Sequence, residues 1–165
     1  MKTLIAYASR YGTSETCART LSRLIGGDSE VMNLRNGRLD DGSRPDIAAF
    51  EAVVVGGPIY AGRIMREVPA FCENNRSVLE ARRVGLFICC LYEGERADAE
   101  LTESFPPWIA AHAAGRYAFG GAVTLSRLGM LDRFLMRKVA QTDHDLNTVK
   151  EERISALAGD MIRSD

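Results

Sequence analysis

The period of the apolar positions changes several times along the chain, and each change marks an element. Thr3-Leu4-Ile5-Ala6-Tyr7-Ala8 is an apolar run of strand length, followed by a polar, glycine-containing turn over residues 9–14. Cys17, Ala18, Leu21, Leu24 and Ile25 then recur at helical spacing with Arg19 and Arg23 between them, and Gly26-Gly27 closes that helix. Residues 30–34 read as a second strand, and residues 35–46, with Gly37, Gly42 and Pro45, as a polar loop. Ala52-Val53-Val54-Val55 is a mostly β-branched run stopped by Gly56-Gly57, the composition of a strand buried on both faces. A short helix over 67–74, a buried strand over 84–91, a helix within 101–114 and a fifth strand over 117–124 follow. Ile154, Leu157, Ala158, Met161 and Ile162 give the closing helix.

Strands alternating with helices predict right-handed βαβ units, hence an α/β fold with a doubly wound five-stranded parallel sheet and helices on both faces. The 165 residues suffice for one such domain, spanning 1–165. Ligands of these sheets sit beyond the carboxyl ends of the strands, where strand order reverses. That rule selects three loops: 9–14, 57–63 and 89–96. Residues 125–150 break the alternation and form a helical insertion after strand 5. Leu128, Leu131, Phe134, Leu135 and Val139 share one helical face, and Arg127, Arg133, Arg137 and Lys138 against Asp132 leave a net +3 over residues 127–139. This piece is either an amphipathic helix packed on the body or a surface that meets a partner or, peripherally, a membrane.

Composition narrows the function classes. The net charge of −1 gives no general attraction to nucleic acid, and no stretch approaches the roughly 18 apolar residues that span a bilayer. The N-terminal apolar run is shorter than a secretory signal and reads as a first strand in a cytoplasmic protein. Cys17, Cys72, Cys89 and Cys90 form no C-x-x-C pair and have no histidine at metal-ligand spacing; they read as small buried hydrophobes. His112 and His144 lie away from the three loops, and no catalytic acid or base stands out.

The first loop carries the chemistry. Ser9-Arg10-Tyr11-Gly12-Thr13-Ser14 leaves a strand and opens a helix, so a phosphate there would meet free N–H groups and the positive end of the helix dipole. Gly12 permits close backbone approach, Ser9, Thr13 and Ser14 offer hydroxyls, and Arg10 adds charge. Without Gly-Lys-Ser/Thr this is no nucleotide P-loop, and without G-x-G-x-x-G it is no dinucleotide loop; a monophosphate cofactor fits.

Strand, Ser-Arg-x-Gly-x-Ser, helix resembles the FMN phosphate loop of flavodoxins, whose usual pattern is Ser/Thr-x-Thr-Gly-x-Thr. Gly57-Pro58-Ile59-Tyr60-Ala61-Gly62-Arg63 and Cys89-Cys90-Leu91-Tyr92-Glu93-Gly94 stand where flavodoxins place their two flavin-flanking loops. Within that superfamily the chain is most similar to menaquinone-dependent protoporphyrinogen dehydrogenases, which share the Arg-x-Gly loop, a Gly-Ala pair in the fifth strand (Gly121-Ala122) and a downstream Asp-Arg-Phe (Asp132-Arg133-Phe134) in a helical insertion. The resemblance implies a flavodoxin-like fold and FMN held by Ser9, Arg10, Tyr11, Gly12, Thr13 and Ser14. Pro58, Ile59, Tyr60, Ala61 and Gly62 would border one side of the ring, and Leu91, Tyr92, Glu93 and Gly94 the other. Tyr60 or Tyr92 would stack on the ring, and Glu93 beside it would lower its potential. A quinone or a redox protein is the implied partner and a porphyrinogen the implied substrate. The alternative is an electron-transfer flavodoxin shuttling between proteins. Electron carriers of that family are strongly acidic, whereas this chain is nearly neutral. Over 141–165 it has six acids (Asp143, Asp145, Glu151, Glu152, Asp160, Asp165) against three bases (Lys150, Arg153, Arg163), where the dehydrogenases are more basic.

Three other readings share the fold. Cys90 and Arg96 have the Cys-x5-Arg spacing of a tyrosine phosphatase, but Glu93 and Glu95 between them would repel a phosphate and raise the thiol pKa. A receiver domain needs an aspartate where Gly56-Gly57 stand. A cofactor-free binding module would have no use for the 9–14 loop.

Overall fold

A computed structural model of the chain describes residues 1–140 and 144–163. Asp143 and Asp165 of the acidic tail, and the side chains of Leu135 and Val139 of the apolar face, lie outside the described residues.

The elements run β1 (Thr3–Tyr7), α1 (Thr13–Ile25), β2 (Ser29–Asn33), β3 (Arg38–Leu39), β4 (Ala52–Tyr60), β5 (Arg63–Ile64), α2 (Glu67–Asn74), α3 (Arg76–Leu79), β6 (Arg83–Cys89), α4 (Gly94–Glu103), α5 (Pro107–His112), β7 (Gly115–Ala118), β8 (Ala122–Val123), α6 (Met130–Ala140), β9 (Leu146–Asn147) and α7 (Glu151–Ile162). Five strands pair in parallel in the order β2-β1-β4-β6-β7. The order reverses between β1 and β4, so the crevice above their C-terminal ends is the switch point. Two short antiparallel strands extend the expected sheet: β3 pairs with the edge strand β2, and β5 folds back on the end of β4.

Alternation along the buried strands divides the core in two. Leu4, Ala6 and Ala8 of β1 and its end, with Val53 and Val55 of β4, face α2–α5, meeting Val68, Cys72, Leu79, Leu101 and Ile109. Ile5, Tyr7 and Val54 face the other way, onto Cys17, Ala18 and Leu21 of α1 and Ile154, Leu157 and Met161 of α7. Burying a Leu, Ile or Val side chain contributes about 1.5–3 kcal/mol, so these two layers hold the sheet edge that carries the loops. No described helix is long and apolar enough to cross a membrane.

Four sequence expectations are corrected. β4 does not stop at Gly56-Gly57. It runs on to Tyr60 because β5 supplies a partner through a two-residue turn in which both Ala61 (φ 49°) and Gly62 (φ 73°) are left-handed. Gly56 is there for space: a Cβ on it would lie 2.3 Å from the Phe87 ring. The helix within 101–114 is two helices, and the first of them begins at Gly94, because Pro106-Pro107 interrupts the run. The fifth strand is Gly115–Ala118. The chain then turns through Gly120 (φ 85°), so Gly121 lies outside that strand and Ala122 belongs to β8, paired with β9.

The insertion also departs from the packed-helix expectation. Leu128 is buried, but Leu131 is 72 % and Phe134 57 % exposed. Among the described side chains of α6, Asp132 alone is buried.

Candidate cofactor site

The β1–α1 turn is shaped for an anion. Gly12, at φ 98°, caps α1 in a conformation that other residues adopt only with strain. Its N–H donates to Ser9 Oγ at 3.0 Å, and its carbonyl accepts from both the N–H and the hydroxyl of Thr16. The first amides of α1 have no partner within the helix. Ser14 is 1 % exposed, and its hydroxyl has no oxygen or nitrogen partner, only the weakly hydrogen-bonding Cys89 thiol beside it. Leaving a buried hydroxyl wholly unsatisfied costs about 1–3 kcal/mol, and a thiol offsets that only weakly, so at a helix N-terminus Ser14 suits a ligand oxygen. The Thr13 hydroxyl donates to the Ala122 carbonyl at 3.0 Å, tying the turn to β8.

Arg10 reaches the insertion. Its guanidinium lies 4.0 Å from the Tyr60 ring centre and bonds Asp132 of α6 at 3.0 Å. The hydroxyls of Tyr11 and Tyr60 also donate to Asp132, at Oδ2 and Oδ1 respectively. One carboxylate, 6 % exposed, thus collects donors from two of the three predicted loops. A second arginine, Arg127, stands over the turn: a Cβ on Gly12 would lie 3.6 Å from its Nη1.

A cavity of about 100 Å³ gathers Ser9, Arg10, Tyr11, Thr13 and Ser14 of the first loop, Pro58, Ile59 and Tyr60 of the second and Leu91 of the third. Leu128 and Asp132 of the insertion roof it. Gly12 and Arg127 line a neighbouring cleft of about 320 Å³ that runs along α1 toward Ile154 of α7. Ala61 and Gly62 are exposed at the tip of the β4–β5 hairpin, outside the cavity. Tyr92, Glu93 and Gly94 also fall outside it. The Tyr92 ring carries the Arg96 guanidinium at 3.4 Å. Glu93 is exposed and pairs with Lys150 at 2.7 Å, and that lysine holds its carboxyl below the usual range and offsets its charge.

The phosphatase constellation is absent in chemical terms. All four cysteines are free and buried. Burial, assisted by Glu100, pushes the Cys90 thiol up to about 11, and Arg96 is engaged with Tyr92. A hydrogen bond with Cys17, together with burial, likewise raises Cys89. The Nε2 of His112 meets the Arg82 carbonyl at 2.8 Å. No group of three or more potential metal ligands occurs among the described residues.

Sequence reasoning missed Arg127 and the role of Asp132. The signal for Asp132 was present, since it is the one acid among four bases over residues 127–139. Nothing in the local sequence aims Arg127 at Gly12.

Comparison with known proteins agrees with the fold. A WrbA-like flavodoxin protein from Agrobacterium tumefaciens superposes with a TM-score of 0.54 at 16% identity, covering 96% of this chain and 95% of that one. A flavodoxin of Streptococcus pneumonia TIGR4 gives 0.55 at 14% identity over 98% and 97% of the two chains. Megasphaera elsdenii flavodoxin gives 0.52 at 21% identity over 70% and 84%. These likenesses establish the architecture. No curated protein matches the sequence. The family described as flavodoxin domain matches residues 4–149, nearly the whole span from β1 to the start of α7, and the chain therefore belongs to the flavodoxin family.

Proposed function

We propose that this protein is an FMN-dependent oxidoreductase that oxidises a porphyrinogen and passes the electrons to a quinone. The observation that carries the cofactor reading is the buried Ser14 hydroxyl, without an oxygen or nitrogen partner, inside a glycine-capped helix N-terminus. The phosphate end fits FMN: the amides at the start of α1, Ser14, Thr13 and the nearby guanidiniums supply donors and positive charge. The ring end fits once α6 is moved, since cofactor pockets start at about 300 Å³, three times the present cavity. When bound, FMN supplies hydride or single-electron transfer. Pro58, Ile59 and Leu91 offer the apolar wall for its ring, and Tyr60 an aromatic face. Membership of the flavodoxin family supports this arrangement.

The finer reading rests on the insertion over 125–150, which roofs the cavity and presents Met130, Leu131 and Phe134 outward among arginines. Such a face suits an apolar electron acceptor at a membrane surface, touched peripherally. Four free thiols fit a reducing compartment, and the cytoplasm is the proposed location. Replacing residues 130–140 with a short glycine-serine linker tests the assignment. FMN binding should persist while quinone-coupled porphyrinogen oxidation is lost. Turnover equal to wild type would leave the insertion without a substrate role and favour a shuttle between protein partners.

A further inference from the structure

We propose that Asp132 is a gate residue that holds α6 over the flavin-ring site and yields when the cofactor enters, so that cofactor loading and opening of the insertion are one event. The proposal rests on the FMN reading given above. The attachment of α6 is unusual in kind. Among its described side chains, the apolar Met130, Leu131 and Phe134 are exposed, and the one it buries is a carboxylate. Burying a carboxylate is unfavourable unless it is paired and hydrogen-bonded. Here the pairing comes from Arg10, Tyr11 and Tyr60, all in loops assigned to the cofactor. At its one described buried side chain the helix is therefore held by the site's own polar groups.

The same groups cannot serve two anions at once. A flavin phosphate drawn to the helix N-terminus would compete with Asp132 for the Arg10 guanidinium, and two negative charges sharing one cation repel each other. The Tyr60 ring face is covered by Arg10 at 4.0 Å, so a stacked flavin requires Arg10 to leave. Releasing Arg10 removes the charge partner of Asp132, and a buried unpaired carboxylate then drives α6 outward. The apparent affinity for FMN is consequently reduced by the fraction of molecules in which the gate is closed.

The test measures FMN binding by quenching of flavin fluorescence for wild type and Asp132→Asn, together with hydrogen exchange at the amides of 130–140. Removing one charge-assisted contact should tighten FMN binding about tenfold and speed its association. Saturating the wild type with FMN should accelerate exchange in α6, and this measurement decides the question alone if the variant does not fold. Equal FMN affinity in both proteins, with α6 exchange unchanged by FMN, overturns the gate while leaving the cofactor assignment standing. If neither protein binds FMN, the cofactor reading itself fails and the gate falls with it.

Discussion

At the phosphate end of the crevice the protein leaves groups unsatisfied. Ser14 buries a hydroxyl without an oxygen or nitrogen partner, the first amides of α1 have none within the helix, and Arg127 stands beside Gly12. At the ring end the opposite holds. Arg10 and Tyr60 are bound to Asp132, Tyr92 is covered by Arg96, and Glu93 is neutralised by Lys150. The first region is organised in advance for a ligand, whereas the second is satisfied by the protein and must exchange partners. Anchoring by the phosphate should therefore precede accommodation of the ring.

The strongest way to break this contrast is Gly12→Asp. A side chain at φ 98° is strained, and its carboxylate would occupy the anion's place beside Arg127. Loss of a charge-assisted contact of about 1.5–3 kcal/mol predicts roughly a 10- to 100-fold loss of FMN affinity. Titration against wild type of the same thermal stability checks it. Arg127→Ala should weaken FMN about tenfold and make binding less sensitive to salt, as seen by titration at two ionic strengths. Retained affinity would remove Arg127 from the site.

Arg96→Ala sharpens the ring end. Uncovering Tyr92 removes a cation–π contact of about 0.5–1 kcal/mol, and a tyrosine that stacks on the flavin should then tighten FMN about threefold. No change would place Tyr92 outside the ring site. The smallest effect concerns pH. Glu93 is held below its ordinary range by Lys150, so the pair adds stability above the unfolded glutamate pKa of about 4.3 and loses it as pH falls through the lowered value. The melting temperatures of wild type and Glu93→Gln should differ slightly at pH 7 and converge at pH 3. Both groups are partly or wholly in water, so the difference is modest.

The phosphate end was legible in the sequence and the ring end only in outline, for physical reasons. The 9–14 loop is local: strand, glycine and helix start lie within twelve residues, and periodicity located both flanking elements. The buried strands and α7 were equally readable because their side chains meet a core on every turn or every second residue. The β4–β5 hairpin escaped because its turn uses Ala61 at positive φ, a residue that rarely signals one. Gly121-Ala122 was misplaced because the end of β7 is set by a contact distant in sequence: at Gly120 a Cβ would lie 2.0 Å from the Thr148 carbonyl. Asp132 finds its partners 72, 121 and 122 residues away, and no local pattern encodes that.

The central claim, that the phosphate end anchors FMN, is tested most directly by titrating the purified protein with FMN and with riboflavin, which lacks the phosphate. Phosphate anchoring predicts saturable, one-to-one quenching of FMN fluorescence and riboflavin binding weaker by at least two orders of magnitude, as expected for the loss of several charge-assisted contacts of about 1.5–3 kcal/mol each. Equal affinity for the two flavins, or no binding of FMN by the folded protein, would contradict it.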